Sequence, residues 1–229
     1  MARQPRIAVP EFPHHVTHRG NRRADIFLDD IDRHVYIKLL ITQCIEESVK
    51  IWAWCLMSNH VHLIAVPNRL NSLSRAFQRV HGEFADYFNA RHSKSGHLWQ
   101  GRFKASVLDE RHLWNSVRYV ERNPVRAGMV RRAEDYSWSS AAAHCGLKPD
   151  RILSPDLPLL GEITDWSAWL AERDVQSELN FIRNRTRTGR PCGDDDFART
   201  MEKKLGRILL PQKAGRKKRT PLSSREIGE

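Results

Sequence analysis

A chain of 229 residues is long enough to bury a substantial core without disulfides. Its four cysteines, Cys44, Cys55, Cys145 and Cys192, form no CxxC pair, which argues against a zinc ribbon, a redox motif or a disulfide framework and fits a reducing compartment. Lys and Arg number 38 against 27 Asp and Glu, a formal charge of +11, and a field of that sign points to a polyanionic partner such as nucleic acid.

The N-terminal stretch MARQPRIAVPEFPHH lacks an apolar signal core, and no apolar run long enough to span a bilayer follows. The sequence therefore predicts a soluble, cytoplasmic protein with no membrane partner. In chain order, PHHVTHRGNRR alternates as a first strand and ends in a Gly-Asn turn flanked by arginines. A helix is predicted from Asp29 to about Glu47, capped by Asp29 or Asp30, with Ile31, Val35 and Leu39 on one face. VKIWAWCLM and HVHLIAVP then read as two strands of a hairpin turning at Ser58 and Asn59. A long helix starts at Asn71 or Ser72 and buries Leu73, Phe77, Val80, Phe84 and Phe88. RFKASVLD is a short fourth strand, and a third helix runs from about Glu110 to Asn123, stopped by Pro124.

The order β, α, β, β, α, β followed by an extra helix predicts an α+β fold: a ferredoxin-like antiparallel sheet with helices on one face and the other face free for a ligand. After about residue 145 the texture changes. Residues 146–210 read as a mostly helical extension, with a proline-bearing connector, a weak helix from Trp166 to Arg185 and a further small helical unit. Residues 211–229, PQKAGRKKRTPLSSREIGE, read as a disordered basic tail. From Phe181 onward there are 14 basic and 6 acidic residues, so eight of the eleven net charges lie there.

Two features invite a chemical reading. In a strand, positions i and i+2 share a face, so His60 and His62 project side by side while Val61 points away. That suits two imidazoles on one cation, and equally suits a hydrogen-bonded pair of core histidines. On the third helix, Leu113, Val117 and Val120 form an apolar stripe, and at about 100° per residue Tyr119 lies off it, beside Asn115, Ser116 and Asn123. A core tyrosine should share the stripe, so Tyr119 reads as either a surface residue or a nucleophile, with Asn123 one turn on and pointing the same way.

These residues carry a resemblance. NHVHLI resembles the His-hydrophobic-His motif of the HUH single-strand endonucleases. THRGNRRADIF and LWQGRFKASVLDERHLWNSVRYVERNPVRAGMV resemble the single-tyrosine transposases of that class, in particular the REP-associated tyrosine transposases. The likeness runs through roughly residues 5 to 145, and TRTGRP further on resembles the tails of that branch. It implies that residues 1–145 are a catalytic domain, with His60, His62 and Asn123 holding a divalent metal ion (Mg²⁺ or Mn²⁺) and Tyr119 as nucleophile. Many insertion-sequence relatives carry glutamine where Asn123 stands. The implied reaction cuts and rejoins single-stranded DNA beside a hairpin through a 5′-phosphotyrosine, in a bacterial cytoplasm, with a monomer favoured over a dimer.

Arg19, Asn21, Arg22 and Arg23 after the first strand, with Arg102 and Lys104 beside the LWQGRF turn, are candidate DNA contacts, and Trp99 is a candidate platform for an unpaired base. Exposed arginines also sit idle in solvent, and Trp99 also fits a core position. His14, His15 and His18 are candidates for binding phosphate or extending the site. Two other readings stay open: a non-catalytic nucleic-acid-binding sheet, for which Trp52 and Trp54 would share a strand face, and a metal phosphoesterase that activates water without a covalent step.

Overall fold

The computed structural model describes residues 6–158 and 162–210; the predicted basic tail lies outside them. β1 (His14–Arg19) leads through a 3-10 turn at Asn21–Arg23 into α1 (Asp30–Glu46). β2 (Val49–Leu56) and β3 (His60–Pro67) form the expected hairpin, followed by α2 (Ser72–Arg91) and β4 (Lys104–Val107). Next come α3 (Glu110–Glu121), α4 (Asn123–Arg126), α5 (Ala141–His144), α6 (Trp166–Ala171), α7 (Gln176–Thr188) and α8 (Asp195–Leu205). The sheet runs β2-β3-β1-β4 with every neighbouring pair antiparallel, which is the ferredoxin-like order.

Local chemistry starts three of the helices, the first at the aspartate that the sequence predicts. The side chains of Asp29, Asp109 and Asp194 accept hydrogen bonds from the backbone N–H three residues on, capping α1, α3 and α8. The predicted stripe of α2 is buried in full. That of α1 is displaced by one residue: Tyr36, Leu40 and Cys44 face the core, while Ile31 is 57% exposed. The cause is Asp32, fully buried and bonded to the backbone N–H of Leu28 and to Tyr87, Arg91 and His92, which turns that face inward. The third helix stops earlier than Asn123, because Asn123 and Pro124 open the separate turn α4, and proline fits the start of a helix.

Helices cover both faces of the sheet, contrary to the expectation of one free face. On the first, α1 and α2 pack Tyr36, Leu40, Phe77, Val80 and Phe84 against Val16, Trp54, Leu56, Val61 and Leu63. On the second, Leu113, Val117 and Val120 of α3, with Trp166, Leu170, Leu179 and Ile182 from the later helices, cover Trp52, Ala53, Cys55, Ile64 and Val66. β3 is apolar on both sides, so an open second face would leave those side chains in water. α7 closes over β1 and β4, and Cys192 bridges to Leu108 beyond the end of β4. A bulge in β2 between Ile51 and Ala53 also separates two residues expected to share a face: Trp52 joins the second core and Trp54 the first.

Candidate active site

His60 and His62 emerge from β3 directly opposite Arg19 and Thr17 of β1. Their rings lie 4.9 Å apart and nearly perpendicular. The turn beside them is pinned by Gly20, whose N–H donates to Asn59 O; a side-chain carbon there would stand 2.2 Å from Ala24 O, so only glycine fits.

A hydrogen bond defines the proton on the His60 ring. Asn59 Nδ2 donates to Arg23 O, so its Oδ1 is the acceptor for His60 Nδ1–H at 2.6 Å. His62 Nδ1 meets His15 Nε2 at 2.8 Å, the two rings stacked with centroids 5.0 Å apart. Both histidines thus use only Nδ1 for the fold, and among the described residues no hydrogen bond engages either Nε2. Four other buried histidines engage both nitrogens. His14 binds Val9 N and Phe12 O, His18 binds His81 and Gly101 O, His81 binds His18 and Tyr36, and His15 binds Thr186 and His62. His144, its side chain 4% exposed, also engages Nδ1 alone, so a single engaged nitrogen does not by itself mark a ligand.

Burial also keeps the rings neutral. It pushes His60 down to about 3, assisted by the Arg19 charge, and His15 down to about 3, assisted by Arg126. His62 is held well below its ordinary value by burial and then by its charged and titratable neighbours. Neutral imidazoles with an open Nε2 are in the form that ligates metals.

Tyr119 packs edge-on against both His62 and His15, each 5.6 Å away between ring centres. The ring is only 9% exposed, so α3 does not present it on a polar outer face as expected. Ser116 on the same side is fully buried too, because α3 is pressed between the sheet and α7 and buries a wider arc than its apolar stripe. Arg126 holds the tyrosine from the other side: its guanidinium carbon is 4.4 Å from the ring centre and it donates to Tyr119 O. Asn123 begins α4, and its amide nitrogen is buried with no hydrogen-bond partner.

Tyr119, His15, His62 and Arg19 line a groove of about 650 Å³ together with Arg23, Gln100, Arg102, Lys104, Arg183, Thr186 and Arg187. It adjoins a second groove of about 930 Å³ that shares Arg102, Lys104 and Arg187 and adds Arg6, Arg190 and Arg207. None of the residues lining either groove is acidic. Asn21 and Arg22 are exposed at the adjoining turn. Trp99 is elsewhere: its ring stacks on His18 at 4.3 Å inside the first core and its Nε1–H donates to His81 O, so it has no free face for a base.

Sequence reading missed Arg126, Arg183, Thr186 and Arg187. The three arginines had no signal beyond their charge. His15, read with His14 and His18 as a candidate to bind phosphate or extend the site, alternates with Thr17 and Arg19 on the face of the histidine pair.

The family model described as "Transposase IS200 like" matches residues 8–123, half of the chain and all of the segment from β1 to Asn123. The chain belongs to the IS200-like transposase family. The matched segment holds His15, His60, His62 and Tyr119, whereas Arg126 and the arginines of α7 lie beyond it. No curated protein sequence matches the chain. A solved structure of a REP-associated tyrosine transposase bound to a REP hairpin superposes with a TM-score of 0.54 at 22% identity, over 77% of this chain and 100% of that one, and so shares the fold. A presumed transposase from Deinococcus radiodurans R1 is also similar, with a TM-score of 0.37 and 16% identity over 52% of this chain and 96% of that one.

Proposed function

We propose that this transposase-family chain cuts and rejoins single-stranded DNA next to a hairpin, with Tyr119 as nucleophile and His60, His62 and Asn123 as the residues that hold a divalent cation. The observation that carries the reading is the contact of Tyr119 with His62 at the floor of a groove lined by positive charge alone. A hairpin-bound relative of the same fold supports the substrate class.

The donor set fits a cation. The two imidazole rings lie 4.9 Å apart on one face of the sheet with no hydrogen bond on either Nε2 among the described residues, and Asn123, just past the end of the tyrosine helix, would ligate through its Oδ1. No group of three His, Cys, Asp or Glu suited to a metal occurs among the described residues, so water or phosphate oxygen must complete the shell. Imidazole donors favour Mn²⁺, and a shell finished by oxygen also admits Mg²⁺. A bound cation would neutralise charge developing on the phosphoryl oxygens.

The residues of the chain then divide the work. Arg19, Arg23, Arg102, Lys104, Arg183 and Arg187 hold the phosphate backbone in the groove. Arg126, His15 and His62 fix the phenol ring. The Tyr119 oxygen attacks phosphorus and loses its proton; the P–O3′ bond breaks, and the departing O3′ takes up a proton to become a free 3′-OH. In the return step a DNA 3′-OH attacks the phosphotyrosine and phenolate departs. One phosphoester bond is exchanged for another, so no external energy source is needed. Tyr119 meets His62 and His15 within one chain, so the reaction as drawn needs no residue from a second copy.

The non-catalytic reading loses its main support, since Trp52 and Trp54 lie on opposite faces and both are buried. Replacing Tyr119→Phe separates the remaining two. On a single-stranded hairpin oligonucleotide with Mn²⁺, the wild type should form an adduct that survives denaturation, and mass spectrometry should place the DNA on Tyr119. The variant should bind DNA and form none. Cleavage undiminished in Tyr119→Phe would make the enzyme a water-activating phosphoesterase. An adduct that persists in the His60→Ala, His62→Ala double variant would refute the cation assignment.

A further inference from the structure

The proton on His62 is set by a residue of α7, far outside the family-matched segment. Thr186 is buried and its hydroxyl lies 2.8 Å from Ile182 O. A carbonyl only accepts, so the single hydroxyl proton is committed to Ile182. Thr186 Oγ1 can then only accept from His15 Nδ1, which is 2.8 Å away and must carry a proton. A neutral His15 with Nδ1–H has a bare Nε2, and that atom accepts the Nδ1–H of His62 at 2.8 Å. The direction of every bond follows from the first one. We propose that Thr186 and His15 form a positioning relay that holds His62 with its proton on Nδ1 and its lone pair on Nε2, making α7 part of the metal site.

The relay rests on the cation reading above and deepens it. His60 obtains the same tautomer locally, from Asn59 next to it in sequence. His62 has no such neighbour and receives it from a helix 124 residues further along the chain, through a pair (His15 and Thr186) separated by 171 positions. Partners of ligating histidines orient the ring and choose the nitrogen that stays free, and losing one typically weakens metal binding 10- to 100-fold. Without the relay, His62 can place its proton on Nε2 and close its own ligand atom. Thr186 and His15 also line the groove itself, so the helix that fixes the tautomer also supplies Arg183 and Arg187 to the DNA path.

Two readouts test this on the full-length protein at pH 7.5. The first is the two-bond ¹H–¹⁵N imidazole spectrum of the metal-free protein, which reports the tautomer directly. Wild type should show His62 as the Nδ1–H form, Thr186→Val should show it redistributed towards Nε2–H, and Thr186→Ser, which keeps the hydroxyl, should restore it. The second is Mn²⁺ affinity, read from loss of the free-ion paramagnetic resonance signal. Thr186→Val should bind roughly tenfold more weakly and Thr186→Ser near the wild-type level. His62 found as Nε2–H in wild type overturns the relay even if the valine variant does not fold. So does a folded valine variant with unchanged tautomer and affinity. A wild type with the described tautomer that takes up no Mn²⁺ would instead sink the cation reading and the relay's purpose with it.

Discussion

Acid should unfold this protein unusually steeply, before its carboxylates titrate. The perturbation is a fall from pH 7.5 to 5.5 in the presence of EDTA. Burial pushes His14 and His18 down to about 4 and His15 and His60 down to about 3, against about 6.5 in an unfolded chain. A group whose folded value is depressed in this way is neutral in the native state and charged in the unfolded one below pH 6.5, so stability falls as pH drops from there towards the folded values. His14 shows why the native state refuses the proton: its Nε2 accepts from the Val9 N–H and its Nδ1 donates to Phe12 O, so a second proton would face a donor. At pH 5.5 each such histidine costs about 1.3 kcal/mol relative to pH 7.5, or about 5 kcal/mol for the four. His62 and His81, also held well below the ordinary value by burial, add to it. Typical domains have only about 5–15 kcal/mol in hand. Urea unfolding followed by tryptophan fluorescence at each pH gives the comparison, and His14→Gln should recover roughly one histidine's share. A loss below about 1 kcal/mol across this interval would mean that the rings are solvated or already charged, and the account of the site as a set of neutral ligands would fail with it.

Three further outcomes follow from particular contacts. Glu121 is fully buried and receives Ser140 Oγ at 2.5 Å, His144 Nδ1 at 2.6 Å and Trp166 Nε1 at 2.9 Å, so Glu121→Ala should cost about 3–5 kcal/mol in chemical denaturation; a cost under about 1 kcal/mol would show that these donors find other partners. Gly193→Ala would set a carbon 2.3 Å from Phe197 Cδ1 and 2.8 Å from Asp109 Oδ2, so α8 should loosen, with a loss of about 1–3 kcal/mol and faster proteolysis near it. Arg183→Ala with Arg187→Ala should lower the slope of log affinity for single-stranded DNA against log salt by about 0.7 for each lost phosphate contact, and an unchanged slope would remove α7 from the DNA path.

What the sequence revealed was local. Strand alternation, the aspartate cap of α1 and the five-residue stripe of α2 depend on near neighbours, and all appear where expected. Features that depend on distant packing were hidden. The bulge that splits Trp52 from Trp54 follows from how β2 registers on β3, and the inward turn of α1 follows from Arg91 and His92 reaching Asp32 across some sixty positions. Tyr119 was misplaced for the same reason. Its helix was judged by its own apolar residues, while its buried arc is set by α7, which lies more than fifty positions later.

The histidine pair shows what a structure adds where spacing leaves two roles open. Two imidazoles at i and i+2 of a strand serve equally well as core residues or as ligands, since both roles need them buried and neutral. One difference lies in how many ring nitrogens the fold consumes. A buried polar atom without a partner is costly, and His14, His15, His18 and His81 answer that cost by engaging both nitrogens within the chain. His60 and His62 stop at one, in each case Nδ1, and the His62 ring meets Tyr119 edge-on. His34, His92, His112 and His144 also engage a single nitrogen, so what sets His60 and His62 apart is their position side by side on one strand, with His62 lining the arginine-rich groove. A pair that held a cation there would need those two atoms open, and among the described residues no hydrogen bond engages either.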